Sequence, residues 1–288
     1  MKSREERINA ANALLKDCTV CPRKCHVDRT AGKKGHCGMT ERVVVSSVGP
    51  HFGEEPPLAG RRGSGTIFLC GCNLLCSFCQ NYDISHNQDG RVVNTAEIVN
   101  AMLHLEDIGC HNINFVTPTH FSPQLLEAIH AARGAGLEVP VVYNCGGHED
   151  VAMLQMLEGF VEIYMPDFKF ASPESAARYC NAPDYPEIAK AALKEMHRQV
   201  GELRIDDEGI ATRGLLIRHL VMPGHVEDSE RVIDFIADEI SRGSYVNVME
   251  QYRPCGEAHK TPEINRPVTT AEYRRARDYA VANGLRLA

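Results

Sequence analysis

Cys72, Cys76 and Cys79 are the residues of this chain best placed to do chemistry. They stand at C-x3-C-x2-C spacing in the stretch Cys70-Gly71-Cys72-Asn73-Leu74-Leu75-Cys76-Ser77-Phe78-Cys79-Gln80-Asn81-Tyr82. Three thiolates on one short loop can ligate three irons of a cubane [4Fe–4S] cluster. A cluster that only carries electrons normally takes four cysteines, so three leave one iron with an open position. The amino and carboxylate groups of S-adenosylmethionine (SAM) can chelate that iron. One electron then cleaves the sulfonium to methionine and a 5′-deoxyadenosyl radical. Zinc, the alternative for clustered thiols, prefers paired C-x2-C halves that close a four-ligand site. No fourth ligand is obvious beside these three.

Cys18, Cys21, Cys25 and Cys37 form a second set with the pattern C-x2-C-x3-C-x11-C. The segment is flanked by Gly and Pro and has too few apolar residues for a core of its own, so it reads as a small metal-nucleated module. Zinc and a second Fe–S cluster both satisfy the chemistry. His26 and His36 read as solvated neighbours. The remaining cysteines, Cys70, Cys110, Cys145, Cys180 and Cys255, fit no ligand spacing and read as small buried hydrophobes. Of these, Cys145 and Cys255 fall near the expected active rim.

The composition is that of a soluble globular protein: 288 residues, 43% hydrophobic and 24% charged. A net charge of −7 gives no reason to expect a nucleic-acid or anionic-membrane partner. No apolar run approaches the roughly 20 residues that span a bilayer. The opening MKSREERINAANALLKDC reads as a charged helix and not as a secretion signal. A cytoplasmic location is expected, and in that reducing compartment twelve cysteines point to metal or cluster ligation, not to disulfides.

Alternating elements must position these residues. Ser3-x-x-Glu6 predicts a capped helix to Lys16, and 42–48 a strand. A Gly/Pro-rich connection follows over 49–65. Apolar runs at 66–70, 112–116, 139–143, 161–165, 214–221 and 245–249 predict six strands. Helices start at Thr95, Ser122-Pro123, Ser172-Pro173, Asp228/Ser229 and Thr270, and 202–212 reads as a small hairpin turning at Asp207-Glu208-Gly209. Six strand–helix units imply a parallel sheet with right-handed crossovers, an α/β fold of the open, partial (β/α)6 kind. Residues 1–50 would be the helix and four-cysteine module, and 51–288 the core.

In such barrels the site forms where the strands end. The unusual residues gather there: the three-cysteine loop, Thr117-Pro118-Thr119-His120, Asn144-Cys145-Gly146-Gly147-His148-Glu149, Met165-Pro166-Asp167-Phe168-Lys169, Arg218-His219 with Met222-Pro223-Gly224-His225, and Glu250-Gln251-Tyr252-Arg253-Pro254-Cys255. Glycines at 146 and 147 would let the backbone approach a ligand. Asp167 and Lys169 share one side of their strand. They read either as a rim ion pair or as a pair serving SAM, with Lys169 on its carboxylate and Asp167 on a cation or hydroxyl.

These segments resemble the radical SAM superfamily, whose motif is C-x3-C-x-aromatic-C with Phe78 at the aromatic position. The resemblance is strongest to the branch homologous to pyruvate formate-lyase activating enzyme. It rests on GTIFLCGCNLLCSFCQNYDIS, NFVTPTHF, YNCGGHE, VEIYMPDFKF, RGLLIRHLVMPGH and NVMEQYRP, with CTVCPRKCHVDRTAGKKGHCG at the N-terminus. It implies a TIM-like partial barrel, a [4Fe–4S] cluster, SAM, and an electron donor such as flavodoxin or ferredoxin. Lys169 and Arg218 would contact SAM, and Met165 and Asp167 would help hold a monovalent cation beside its carboxylate. Asn144 stands where the activating enzyme has an acidic residue. Thr117-Pro118-Thr119 replaces the Gly-Gly-Glu that meets the SAM amino group, which leaves that contact to backbone or to the Thr117 and Thr119 hydroxyls.

Two function classes remain open on the residues alone: a radical enzyme abstracting hydrogen, or a non-catalytic Fe–S or zinc scaffold. Within the first, the target is a protein glycine, another peptide residue or a small molecule. The open side of a six-strand barrel, with Tyr252 and Arg253 on its rim, favours a protein or peptide substrate.

Overall fold

The computed structural model describes residues 3–288. In chain order the strands are β1 (Val43–His51), β2 (Ser64–Leu69), β3 (Arg91–Val93), β4 (Ile113–Val116), β5 (Val141–Cys145), β6 (Ile163–Pro166), β7 (Arg204–Ile205), β8 (Ala211–Leu220), β9 (Tyr245–Met249) and β10 (Arg286–Leu287). The helices are α1 (Arg4–Ala13), α2 (Pro56–Ala59), α3 (Tyr82–Ser85), α4 (Thr95–Asp107), α5 (Ser122–Gly134), α6 (Val151–Leu157), α7 (Pro173–Cys180), α8 (Tyr185–Val200), α9 (Val226–Phe235) and α10 (Thr270–Ala282). The sheet order is β10-β9-β8-β6-β5-β4-β2-β1-β3, with β7 paired to β8. The six expected strands, β2, β4, β5, β6, β8 and β9, pair parallel along the sheet. The ends of the sheet are not joined, so the fold is a partial, TIM-like α/β barrel.

Every residue of β4, β5 and β6 is buried. These strands lie between the barrel interior and an outer layer of helices, which is why their sequences are continuous apolar runs without alternation. Ile113, Phe115, Tyr143, Tyr164 and Ile217 join the large outer core. Val142, Ile163, Met165 and Leu216 point inward and form a second apolar cluster with Leu58. Leu58 sits on α2, inside the segment expected to be a plain connection. There β1 continues to His51, antiparallel to β2. Pro56 then opens a single helical turn, where its missing N–H costs nothing, and delivers the fully buried Leu58 to the barrel floor.

Local signals explain most boundaries. Ser3 and Glu6 exchange the two hydrogen bonds of a capping box, and Asn94 with Glu97 and Thr269 with Glu272 do the same. Ser172 caps α7, with Pro173 in the first turn. Ser122 does not cap α5. A 3₁₀ turn over Thr119–Phe121 runs straight into that helix, and the Ser122 hydroxyl serves Thr119 O and Tyr143 Oη instead. Helix α9 starts ahead of Asp228 and Ser229, and Asp228 accepts from the Ala171 N–H. Strand β5 runs two residues past the expected end at Tyr143, because the Asn144 and Cys145 carbonyls accept from Thr117 and Asp167 N–H groups and extend the ladder. The hairpin at 207–209 forms as β7 against β8. Among the described residues no helix is long and apolar enough to cross a membrane.

Candidate cluster and cofactor site

The loop after β2 is fixed from several sides. Gly71, at φ 78°, packs so tightly that a Cβ there would lie 2.6 Å from the Cys37 carbonyl. Asn73 donates to the His148 carbonyl at 2.7 Å, and Arg23 donates to the carbonyls of Asn73, Cys180 and Asn181. Leu75 turns the chain at φ 52° between Cys72 and Cys76. Phe78 drops into an aromatic cluster, with ring centroids 6.0 Å from Phe170, 6.4 Å from Tyr179 and 6.1 Å from Tyr252. This packing gives the aromatic position of the motif its physical role: Phe78 nails the loop to the barrel.

Cys72, Cys76 and Cys79 line one cavity of about 230 Å3 with Thr117, Asn144, Cys145, Asp167, Lys169 and Arg218. Burial and the neighbouring Cys76 push the Cys72 thiol up to about 12. A hydrogen bond shared with Cys180, 3.0 Å away, and then burial raise Cys76, and burial raises Cys79. Iron must therefore displace three thiol protons on binding. Lys169 opposes the shifts of Cys76 and Cys79, so a positive charge already faces the thiolates that form. Among the described residues no three His, Cys, Asp or Glu side chains converge as around a single ion. A cubane makes no such demand, since each cysteine ligates a different iron and the thiolates ring a core. The donor set on this loop fits that group.

Opposite the cysteines lies a charged network. Asp167 accepts from Lys169 Nζ at 2.6 Å and from Arg218 Nε at 2.9 Å, and Arg218 donates to Asn144 Oδ1 at 2.7 Å. Burial pushes Asp167 up, but Arg218 and Lys169 outweigh it and hold the carboxyl below its ordinary range. Sequence reading missed Glu54, whose carboxylate lies 3.8 Å from Arg218 and whose pKa burial raises to about 7. It sits in the connection below the barrel and carries no motif. Its neighbour Glu55 accepts from Asn247 at 2.9 Å.

Several rim residues turn away from the cavity. The Thr119 hydroxyl donates to Glu149 at 2.6 Å, so of the two threonines expected at SAM only Thr117 lines the cavity. Gly147, at φ 80°, is required by the Asp167 carbonyl, 2.2 Å from where its Cβ would stand, and not by a ligand. His219 is committed to Phe168 O and Ser229, and His120 to the Cys70 carbonyl. The Met165 side chain belongs to the inner apolar cluster. Tyr252 is buried with its hydroxyl on Ile264 O, so of the two recognition residues expected on that rim only Arg253 is exposed. The chain after β9 also returns to the cysteine loop, where Glu257 N–H donates to Ser77 O and Gln80 to Gln251 O. These bonds bridge part of the gap expected beside the barrel. Cys255 does not line the cavity, whereas Cys180, read only as a buried hydrophobe, touches Cys76.

Glu149 has a testable consequence. Burial raises its pKa to about 7, although Thr119, Tyr143 and Cys145 all hydrogen-bond its carboxylate. An acid whose pKa rises on folding costs stability as pH climbs from the unfolded value, about 4.5, through the folded one. Between pH 4.5 and 7.5 the native chain should lose about 3 kcal/mol through this group. Glu149→Gln should flatten that slope in urea unfolding across the window. An unchanged slope would place the Glu149 pKa near its ordinary value.

The chain matches the radical SAM superfamily over residues 66–236. It is 34% identical to an uncharacterized protein of Methanocaldococcus jannaschii over 284 residues, 95% of this chain and 77% of that protein. Its fold is similar to that of methylornithine synthase, with a TM-score of 0.52 at 13% identity over 100% of this chain and 72% of the other. It is also similar to that of Streptococcus suis SuiB, with a TM-score of 0.51 at 13% identity over 76% of this chain and 47% of SuiB, less than half of that protein's length. The parallel partial barrel, the three thiols on its first loop and the match across its core lead to one conclusion: the chain belongs to the radical SAM superfamily.

Proposed function

We propose that this enzyme abstracts hydrogen from a glycine of a protein partner, in the manner of the activating enzymes of glycyl radical enzymes that its sequence resembles. The observation that carries the reading is the shared cavity, with three thiols on one wall and Lys169, Asp167 and Arg218 on the other. When bound, the [4Fe–4S] cluster supplies the electron that cleaves SAM to methionine and a 5′-deoxyadenosyl radical. Cys72, Cys76 and Cys79 would hold the cluster. Lys169 would neutralise the SAM carboxylate, Arg218 and Asn144 would complete that polar wall, and Thr117 would meet the amino group. Thr119 would act at one remove, through Glu149. Flavodoxin or ferredoxin would deliver the electron.

Residues 1–50 would form a second metal centre appended to the 51–288 core. The Cys25 and Cys37 sulfurs both lie beside Gly35, 3.4 and 3.7 Å from where its Cβ would stand, which supports that reading. A small-molecule substrate is the second reading. It is favoured by the segment after β9 that bridges back to Ser77 and Gln80.

Two measurements test these assignments. Lys169→Ala should weaken SAM binding by roughly 1.5–3 kcal/mol, the usual worth of a hydrogen bond to a charged group. Unchanged affinity by calorimetry would return Lys169 to a purely structural ion pair. The substrate is tested by incubating the loaded enzyme and SAM with glycine-deuterated candidate proteins encoded beside it. Deuterium in 5′-deoxyadenosine supports the protein-glycine reading, and label arriving only from small metabolites overturns it.

A further inference from the structure

Arg29 is the largest fully buried side chain in the protein, with 0% of its surface exposed. It lies within the four-cysteine module. Its guanidinium donates to Thr40 O at 2.6 and 3.1 Å and to His120 O at 2.7 Å, and approaches Cys18 Sγ at 3.9 Å. Every polar partner is therefore a carbonyl or a thiol. Among the described residues no carboxylate pairs with it. Carbonyl dipoles satisfy its N–H groups but supply no net charge. A guanidinium cannot shed its proton, and a buried cation without a counter-charge costs several kcal/mol.

The thiols of the four-cysteine module lie around it. The Cys18 sulfur is the one at 3.9 Å, and the Cys25 and Cys37 sulfurs lie 3.4 and 3.7 Å from the point where a Cβ on Gly35 would stand. Gly35, lacking that atom, leaves room between them. Among the described residues no three His, Cys, Asp or Glu side chains converge as around a single ion, so the occupant that fits the four thiols is a [4Fe–4S]2+ core, whose complex with four thiolates carries a net charge of −2. The segment from Lys16 to Arg42 also carries seven Lys and Arg against three Asp and Glu, in a chain whose net charge is −7. A basic segment in an acidic chain suits an anionic centre.

We propose that Arg29 is the built-in counter-cation of an anionic tetrathiolate centre formed by Cys18, Cys21, Cys25 and Cys37. The inference rests on the second-centre reading above and adds what that reading lacks: the net charge of the occupant and the residue that balances it. On taking up a core made of two ferric ions, two ferrous ions and four sulfides, each cysteine releases its proton to solvent and forms a bond to iron. Nothing is oxidised or reduced, and Arg29 gains the charge partner it lacks. The same guanidinium holds the His120 carbonyl, and His120 holds Cys70 at the head of the three-cysteine loop. The Cys37 carbonyl meets Gly71 on that loop. Charge balance in the module therefore bears on the support of the other site.

The test uses full-length chain with Cys72, Cys76 and Cys79 changed to Ala, so that the module alone binds metal. Metal content and competition with a chelator are compared for the parent, Arg29→Met and Arg29→Lys, after loading with zinc in one arm and with equal ferric and ferrous iron and sulfide in the other. The expected result is that Arg29→Met weakens retention of whichever occupant binds by on the order of a hundredfold, while Arg29→Lys stays much closer to the parent. Zinc alone or iron with sulfide names the occupant, and either supports the proposal, since both complexes are anionic. Equal retention by parent and Met variant overturns the counter-charge role and leaves the second centre standing. Equal losses in Met and Lys variants assign Arg29 to shape and overturn it as well. A parent that binds neither metal overturns both the inference and the second centre.

Discussion

Asp167→Ala is expected to be the most destabilising single substitution in the cavity, costing about 3–5 kcal/mol. The carboxylate stands between two cations, Lys169 at 2.6 Å and Arg218 at 2.9 Å, and all three side chains are less than 20% exposed. Removing it leaves two largely buried positive charges facing each other, with Glu55 and Glu54 to offset Arg218 in part. Asp167→Asn should cost less, because its amide oxygen still accepts one hydrogen bond. Urea unfolding of the cluster-free chain measures both. A loss below about 1 kcal/mol for the alanine variant would mean that water screens the network as it does a surface pair.

Changing Cys72, Cys76 and Cys79 together to Ala is expected to abolish cluster binding at that loop and reductive SAM cleavage with it. The fold should survive, because the loop is held by Phe78, by Asn73 on His148 O and by Arg23, and not by the thiols. Far-UV circular dichroism should match the parent while iron and sulfide fall by the content of one cluster. Undiminished 5′-deoxyadenosine from this variant would sink the assignment of the three cysteines.

The sequence was most legible where one local rule decides. The six parallel strands follow from apolar runs between capped helices, and the cysteine loop follows from spacing. Arg218 faces the cavity by alternation along β8, and Asp167, bridged to it just past β6, brings Lys169 in through their ion pair. Pairings across the chain were not legible. Glu54 reaches Arg218 from a connection with no motif, and Leu58 closes the barrel floor from what read as a plain loop. Gly147 looked like room for a ligand and proved to be room for the Asp167 carbonyl. Tyr252 looked like a recognition residue, yet burying its ring against Phe78 outweighed exposure. Rim position alone did not separate residues facing the cavity from those facing the helices. His219, next to Arg218, points outward to Ser229.

The central claim is that Cys72, Cys76 and Cys79 hold a cluster that cleaves SAM within this cavity. The direct measurement is product analysis of anaerobically reconstituted full-length protein with SAM and dithionite, without any added substrate. The account predicts 5′-deoxyadenosine and methionine in equal amounts, absent when dithionite is withheld and absent from the triple alanine variant. Protein loaded with a full cluster that binds SAM, accepts the electron and yields no 5′-deoxyadenosine would contradict it.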